Sequence, residues 1–96
     1  MKIFVDDTRT RPDGFNALVH SVNEAIAFIE ECEKKGMTID LISLDHDLGE
    51  YAKDGGDAIN LLDYLVENEK FYPITFHTAN PKGRENMQRI IDRFWP

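Results

Sequence analysis

The chain has 96 residues, 42% hydrophobic and 30% charged, which is typical of one globular domain rather than a disordered segment. Its formal net charge is −7, which argues against broad electrostatic binding of a nucleic-acid backbone. No apolar run is long enough for a membrane span, and the two aspartates after Val5 argue against a signal peptide. The single cysteine, Cys32, cannot form an internal disulfide, so we expect a cytoplasmic protein.

The first 20 residues predict two short strands joined by a loop. Residues 2–5 form a strand pattern that ends at two aspartates. Residues 8–16 contain a Pro-Asp-Gly turn and no helical periodicity, so we expect them to form a loop. Residues 17–20 predict the second strand.

A helix is predicted next, because Ser21 and Glu24 match a capping box and apolar residues then recur at helical spacing. Gly36 marks the end of this helix. Cys32 lies on its apolar face, where we expect a packing role.

The rest of the chain alternates strand and helix patterns. Strands are predicted over residues 39–44 and 74–76, with a helix near residues 57–68 between them. Asn80 as N-cap and Pro81 at the first helical position predict a final helix. Its expected buried stripe is Met87, Ile90, Ile91 and Phe94.

This order of elements predicts an α/β fold, in which right-handed crossovers favour a single, mostly parallel, four-stranded sheet. We expect residues 1–96 to form one domain, with about three helices packed in three layers.

Acidic side chains follow two of the predicted strands. Asp6 and Asp7 come after the first strand, whereas Asp45 and Asp47 come after the third. Because ligands bind at the carboxyl ends of parallel strands, these carboxylates are candidate ligands for a hard cation such as Mg²⁺. Alternatively, Asp7 and Asp47 cap loops or face solvent.

Two histidines, His46 and His77, also lie beside predicted strand ends. One imidazole could deprotonate a water while the other protonates a leaving oxygen, which is the chemistry that opening a cyclic phosphodiester requires. Alternatively, one histidine is a structural donor to an aspartate and the other packs under a loop. We expect His20, after the second strand, to be structural.

The start of the last helix is a candidate phosphate site. Asn80 begins the helix, where free backbone N–H groups favour an anion. Gly83 permits close approach to the backbone, and Arg84 could clamp phosphate oxygens. Arg9 could fold over the acidic residues or over a substrate phosphate. The alternatives are an ordinary helix cap, a surface glycine and an arginine paired with a nearby glutamate.

Several of these segments resemble response-regulator receiver domains. The resemblance rests on Asp6-Asp7, on Asp45 after Asp-Leu-Ile-Ser-Leu, on Lys53-Asp54-Gly55 and on Thr78-Ala79. It implies a flavodoxin-like sheet in the order 2-1-3-4, with Asp6, Asp7 and Asp45 as Mg²⁺ ligands. It also implies that Asp45 accepts a phosphoryl group and that Thr78 contacts it.

The chain departs from that pattern at two places. The loop over residues 8–16 replaces the first receiver helix, and the fifth strand–helix unit, with its lysine, has no counterpart in this sequence. A narrower resemblance covers essentially the whole chain. Asp-Asp-x-Arg at 6–9, Ser-Leu-Asp-His-Asp-Leu-Gly at 43–49 and the segment 77–87 are similar to a reduced receiver-like family named for cyclic-phosphate processing.

The leading hypothesis is therefore a metal-assisted phosphoesterase that acts on cyclic phosphates of nucleotides or RNA ends. Asp45, His46 and His77 are the candidate catalytic residues, and a small phosphorylated ligand or an RNA terminus is the expected partner. The alternative is a non-enzymatic regulatory module that binds metal, phosphate or a protein partner. Its small size also permits an accessory role in a bacterial or phage element.

Overall fold

Two strands are followed by alternating helices and strands in the computed structural model, which describes residues 1–96. The elements are β1 (Lys2–Val5), β2 (Ala17–Val19), α1 (Val22–Lys34), β3 (Leu41–Leu44), a 3₁₀-helix (Gly49–Lys53), α2 (Ile59–Glu67), β4 (Ile74–Phe76) and α3 (Pro81–Phe94). No helix is both long and apolar enough to cross a membrane.

The four strands form one parallel sheet in the order β2-β1-β3-β4, which confirms the predicted order. Val5 of β1 lies opposite Val19 of β2 and Leu44 of β3, and Leu44 lies opposite Phe76 of β4. The four strands therefore end at the same level. Residues that follow them meet along one edge of the sheet.

The two faces of the sheet are covered differently. Ile3, Val5, Ile42 and Leu44 are fully buried in one apolar cluster with residues of all three helices. Because side chains alternate along a strand, Phe4 and Ser43 face the other way. That face carries no helix, and the predicted third layer is instead formed by the loop 8–16.

Phe15 anchors this loop on the sheet. Its ring meets the ring of Phe4 edge-on, with 5.0 Å between the centroids. The backbone N–H of Asn16 donates to the carbonyl of Lys2 at 2.9 Å, which ties the end of the loop to β1. The loop connection that the sequence predicted between the first two strands is thus confirmed.

Both predicted helix caps are confirmed. The Ser21 hydroxyl accepts a hydrogen bond from the backbone N–H of Glu24 at 3.0 Å. The Asn80 side-chain oxygen accepts one from Gly83 N–H at 3.0 Å, with Pro81 in the first turn. These bonds satisfy N–H groups that have no partner inside a helix.

Three details differ from the sequence predictions. The third strand begins at Leu41 rather than residue 39, and the segment predicted as a polar loop includes the 3₁₀-helix. Phe94, predicted to be buried, is 42% exposed. The edge strand β4 has only three residues and leaves little surface for the last turn of α3 to cover.

A hydrogen-bonded network lies at the opposite end of the molecule from the strand C-termini. The Lys70 ammonium donates to Glu33 at 2.7 Å and to the hydroxyl of Tyr64 at 2.8 Å. The Tyr72 hydroxyl donates to the second oxygen of Glu33. Trp95 closes the same end, because its indole N–H donates to the Tyr72 carbonyl at 2.8 Å.

Candidate functional site

A cavity of about 370 Å³ lies at the edge where the strands end. Its lining is polar apart from one alanine and comes from the segments that follow β1, β3 and β4. The lining residues are Thr8, Arg9, Asp45, Asp47, Thr78, Ala79 and Asn80. The structure thus brings together residues that are far apart in the sequence, as the parallel sheet requires.

Asp6 lies at the end of β1 and is fully buried. One carboxylate oxygen accepts hydrogen bonds from the backbone N–H groups of Thr8 and Arg9, at 2.9 and 2.8 Å. The other lies 2.9 Å from Nε2 of His77. Burial alone would raise the pKa of Asp6, but the hydrogen bonds from Arg9, Thr8 and His77 outweigh it and lower the pKa.

His77 follows β4 and is held on three sides. Nδ1 of the ring lies 2.8 Å from the Ser43 hydroxyl, while Nε2 faces Asp6. The ring is stacked on Phe4, with 4.0 Å between centroids and an angle of 11° between the planes. Burial lowers the pKa of His77, and the nearby Asp6 carboxylate offsets only part of this effect.

The arrangement suits a hard cation. The ligand atoms of Asp6, Asp45 and His77 lie within 4.8 Å of one another. Asp45 is half-buried, and its carboxylate has no hydrogen-bond partner in the protein. Both ring nitrogens of His77 are already bonded, so Asp6 and Asp45 are the groups with free lone pairs. Two converging carboxylates of this kind fit Mg²⁺, with waters completing its shell.

Asp47, which lines the cavity, forms a second pair with His46. Nδ1 of His46 lies 2.9 Å from one carboxylate oxygen of Asp47. The amide of Asn80 donates to the other oxygen at 3.0 Å. These hydrogen bonds, from His46 first and then Asn80, lower the pKa of Asp47. His46 itself does not line the cavity, and its Nε2 has no hydrogen-bond partner.

Gly83 supports His46 rather than leaving an open surface. It is buried in the first turn of α3, and a Cβ atom there would lie 2.4 Å from Cγ of His46. Its N–H is already bonded to Asn80. The close approach expected at this glycine therefore involves the His46 ring.

The other candidate residues are arranged around this centre. The Arg84 guanidinium donates to the carbonyl of Phe76 at 2.8 Å, on the outer edge of β4. Arg9 is mostly exposed, and its Nε lies 3.6 Å from Asp6. The Thr78 hydroxyl accepts from Asn80 N–H at 3.1 Å.

Asp7 is turned away from the cavity. Its carboxylate oxygen lies 2.5 Å from where a Cβ of Gly49 would be, at the start of the 3₁₀-helix. It is neither part of the cavity lining nor a member of the group formed by Asp6, Asp45 and His77. Asp7 is thus placed against the loop after β3 rather than beside Asp45.

His20 lies apart from the cavity, as expected. Its ring is stacked on Tyr51 of the 3₁₀-helix, with 5.0 Å between centroids. Its Nδ1 lies 3.6 Å from a carboxylate oxygen of Glu24 in the first turn of α1.

Sequence reasoning missed Ser43 and Phe4. Ser43 is the one polar residue in the apolar strand Leu-Ile-Ser-Leu, and it is 4% exposed. A buried hydroxyl needs a hydrogen-bond partner, so a lone serine in a central strand is a signal that could have been used. The stacking of Phe4 on His77 depends on how β1 lies relative to the segment after β4, and no local sequence pattern indicates it.

Fold and site together define a receiver-like α/β domain with an acidic cavity at the carboxyl edge of its sheet. A family model described as the cyclic-phosphate processing receiver domain matches residues 1–93, and the chain belongs to this family. No curated protein and no solved structure gives a significant match.

Proposed function

We propose that the domain is a metal-assisted phosphoesterase that acts on cyclic phosphates of nucleotides or of RNA ends. The observation that carries the proposal is the convergence of Asp6, Asp45 and His77 within 4.8 Å beside a polar cavity. The family description points to the same class of substrate.

The charge of the cavity supports a cation in the reaction. Asp45 and Asp47 line it, Asp6 lies behind it, and Arg9 is its single cationic lining residue. A phosphate would be repelled by this set of charges unless a cation bound first. A divalent ion, Mg²⁺ in our proposal, would supply positive charge where negative charge develops on the phosphate.

The remaining lining groups would orient the phosphate. Arg9 is exposed and has a guanidinium that can reach an anion in the cavity. The Thr78 hydroxyl keeps its own hydrogen free to donate, because it accepts from Asn80. We propose that Gly83 and Arg84 contribute indirectly, by supporting His46 and the edge of β4.

His46 is the candidate proton carrier in this scheme. Asp47 orients the ring through Nδ1, which leaves Nε2 free to exchange a proton with water. Because His46 does not line the cavity, a bridging water would complete the path to the substrate. Asp45 would hold the cation together with Asp6, and His77 would support Asp6 through the hydrogen bond between them.

Purified protein should be incubated with 2′,3′-cyclic nucleotides and Mg²⁺ or Mn²⁺. We expect turnover that EDTA abolishes, and a loss of at least about 100-fold in kcat/KM for Asp45→Asn and for His46→Ala. Asp13→Asn is the matched control, because Asp13 is an exposed aspartate in the loop 8–16. Absence of turnover with every metal, or turnover indifferent to Asp45→Asn and His46→Ala, would contradict the proposal.

A second candidate is a non-enzymatic regulatory module that binds metal, phosphate or a protein partner. It is favoured by the unpartnered Asp45 carboxylate at the cavity, which is free to accept a phosphoryl group. An acyl phosphate donor with Mg²⁺ tests this function by intact-protein mass spectrometry. A stable phosphoryl adduct that Asp45→Asn removes would support the module, and no adduct would leave it only as a binding protein.

A further inference from the structure

Two buried side chains and the partly buried His77 form a hydrogen-bonded chain beneath the site. The Ser43 hydroxyl lies 2.8 Å from Nδ1 of His77, and Nε2 of His77 lies 2.9 Å from Asp6. Asp6 is fully buried and Ser43 is 4% exposed. Phe4 stacks on the imidazole at 4.0 Å between centroids, so the ring plane is fixed as well.

The direction of each hydrogen bond follows from what Asp6 can accept. Its carboxylate already accepts two backbone N–H groups, from Thr8 and Arg9, and has no hydrogen to donate. Nε2 of His77 must therefore carry the hydrogen that lies between the ring and Asp6. In a neutral ring Nδ1 is then an acceptor, and the Ser43 hydroxyl is the donor to it.

Ser43 has no other role that would explain it. Its neighbours in β3 are apolar, and its side chain is on the face of the sheet that carries no helix. A buried hydroxyl there costs free energy unless it is bonded, and its one side-chain hydrogen bond is to His77. In metal sites a hydrogen bond on the second nitrogen of a histidine fixes the orientation of the ring, and Ser43 supplies such a bond to His77.

We propose that Ser43 is a positioning residue that holds the His77 ring by its Nδ1 atom, so that Nε2–H, the tautomer that Asp6 selects, keeps Asp6 in place for a divalent cation. His77 then acts on the site through Asp6, rather than by carrying protons to or from the substrate. This inference rests on the cation site of the proposed function and is independent of which cyclic phosphate is bound.

The tautomer can be measured in the metal-free protein. Long-range ¹⁵N–¹H NMR spectra at about pH 8, where histidine is mainly neutral, distinguish Nε2–H from Nδ1–H rings. We expect the Nε2–H form for His77 in the wild type and in Ser43→Thr, which keeps the hydroxyl. In Ser43→Ala we expect the same tautomer, because Asp6 still accepts from Nε2, but a changed ¹⁵N shift of Nδ1, because this nitrogen loses the hydroxyl that donates to it. Thr75→Ala is the control, because Thr75 is paired with Ser43 in the sheet but is exposed.

Metal affinity separates positioning from proton transfer. We expect Ser43→Ala to weaken Mn²⁺ binding about 10-fold in calorimetry, with Ser43→Thr restoring it. His77→Gln should bind Mn²⁺ more tightly than His77→Ala, because the glutamine amide can still donate to Asp6 whereas alanine cannot.

An Nδ1–H ring in the wild type would overturn the inference. So would equal Mn²⁺ affinities for His77→Gln and His77→Ala, a comparison that remains available if Ser43→Ala does not fold. The proposed activity fails separately. If no cyclic phosphate is turned over but the tautomer and metal results hold, the positioning role stands without the reaction.

Discussion

At the scale of single residues, two glycines leave room for polar side chains that follow the strands. Gly83 leaves room for the His46 ring, and Gly49 leaves room for the Asp7 carboxylate. Gly49 also has φ +57°, a backbone conformation that side chains with a Cβ adopt less readily. Each glycine therefore permits a close approach, by an imidazole ring at Gly83 and by a carboxylate at Gly49, that a residue with a Cβ atom would block.

Gly83→Ala should destabilise the domain although it adds a helix-forming residue. Alanine in a helix normally stabilises by up to about 1 kcal/mol over glycine, whereas an overpacked contact costs about 1–3 kcal/mol. Since a Cβ would lie 2.4 Å from the His46 ring, we expect the clash to exceed the gain. Urea unfolding measures the difference.

The matched control for Gly83→Ala is the same substitution in a His46→Ala background. Without the ring, alanine at position 83 should become neutral or stabilising, so the two changes should show a large coupling energy. A stabilising Gly83→Ala in the wild-type background would show that the ring does not occupy this space.

Much of the site could be predicted because its acids and histidines interrupt apolar strands at their ends. The sequence could not predict their directions. Asp7 lies against Gly49, and Arg84 donates to the carbonyl of Phe76. The direction of each side chain depends on the path of a neighbouring segment, which the local sequence does not specify. Asp6 lies in the group with Asp45 and His77, whereas Asp7, the next residue, lies against Gly49, so the acidic pair alone did not indicate which member lies beside Asp45.

At the scale of elements, local signals predicted the ends of the helices well. The side chains of Ser21 and Asn80 accept hydrogen bonds from backbone N–H groups in the first turns of α1 and α3. Gly36, with a positive φ, follows the last turn of α1. The extent of the strands was less predictable. Ile39 was predicted to begin the third strand, but it is buried in the apolar cluster without being paired in the sheet, so its apolar character marks burial rather than strand pairing.

The network around Lys70 predicts a loss of stability in alkali. Burial, and then the hydrogen bond to Glu33 and its charge, raise the pKa of Tyr72 to about 12. An unfolded tyrosine titrates near about 10, so between these values the folded chain binds more protons and stability falls as pH rises. The pKa of Lys70 is also raised, because burial is outweighed by the contacts with Glu33 and Tyr64. This shift likewise lowers stability as the pH rises.

Between about pH 10 and about pH 12, we expect the wild type to lose about 1–2 kcal/mol more of its free energy of unfolding than Tyr72→Phe loses. Urea titrations at several pH values measure this dependence. Tyr51→Phe is the control, since Tyr51 is 43% exposed and lies outside the network. Parallel curves for the wild type and Tyr72→Phe would contradict the assignment.

At the scale of the whole molecule, charge would distinguish the two substrates of the proposed activity. The net charge is −7, Arg9 is the single cationic residue that lines the cavity, and Arg84 and Arg11 are bonded to backbone carbonyls. A free cyclic nucleotide meets only the site, whereas an RNA chain also brings its other phosphates close to an acidic surface.

We therefore expect a free 2′,3′-cyclic nucleotide to be processed faster than the same group at the end of an oligonucleotide. Raising the salt from about 50 to about 500 mM should narrow the difference, because screening weakens repulsion. Measurements of kcat/KM test this, with an uncharged-backbone oligonucleotide as the control. An oligonucleotide that is the better substrate, and that loses activity with salt, would contradict the expectation.

The loop 8–16 takes the place of a helical layer on one side of the sheet. The two sides of the sheet should therefore open at different free energies. The loop supplies both backbone donors to Asp6 and, through Phe15, the cover of Phe4, whereas the three helices enclose the apolar cluster on the far side. Local opening of the loop would thus dismantle the site at a fraction of the free energy of global unfolding. Amide hydrogens of Thr8 and Arg9 should exchange with deuterium well before those of Ile42 and Leu44, so loss of function should precede loss of fold.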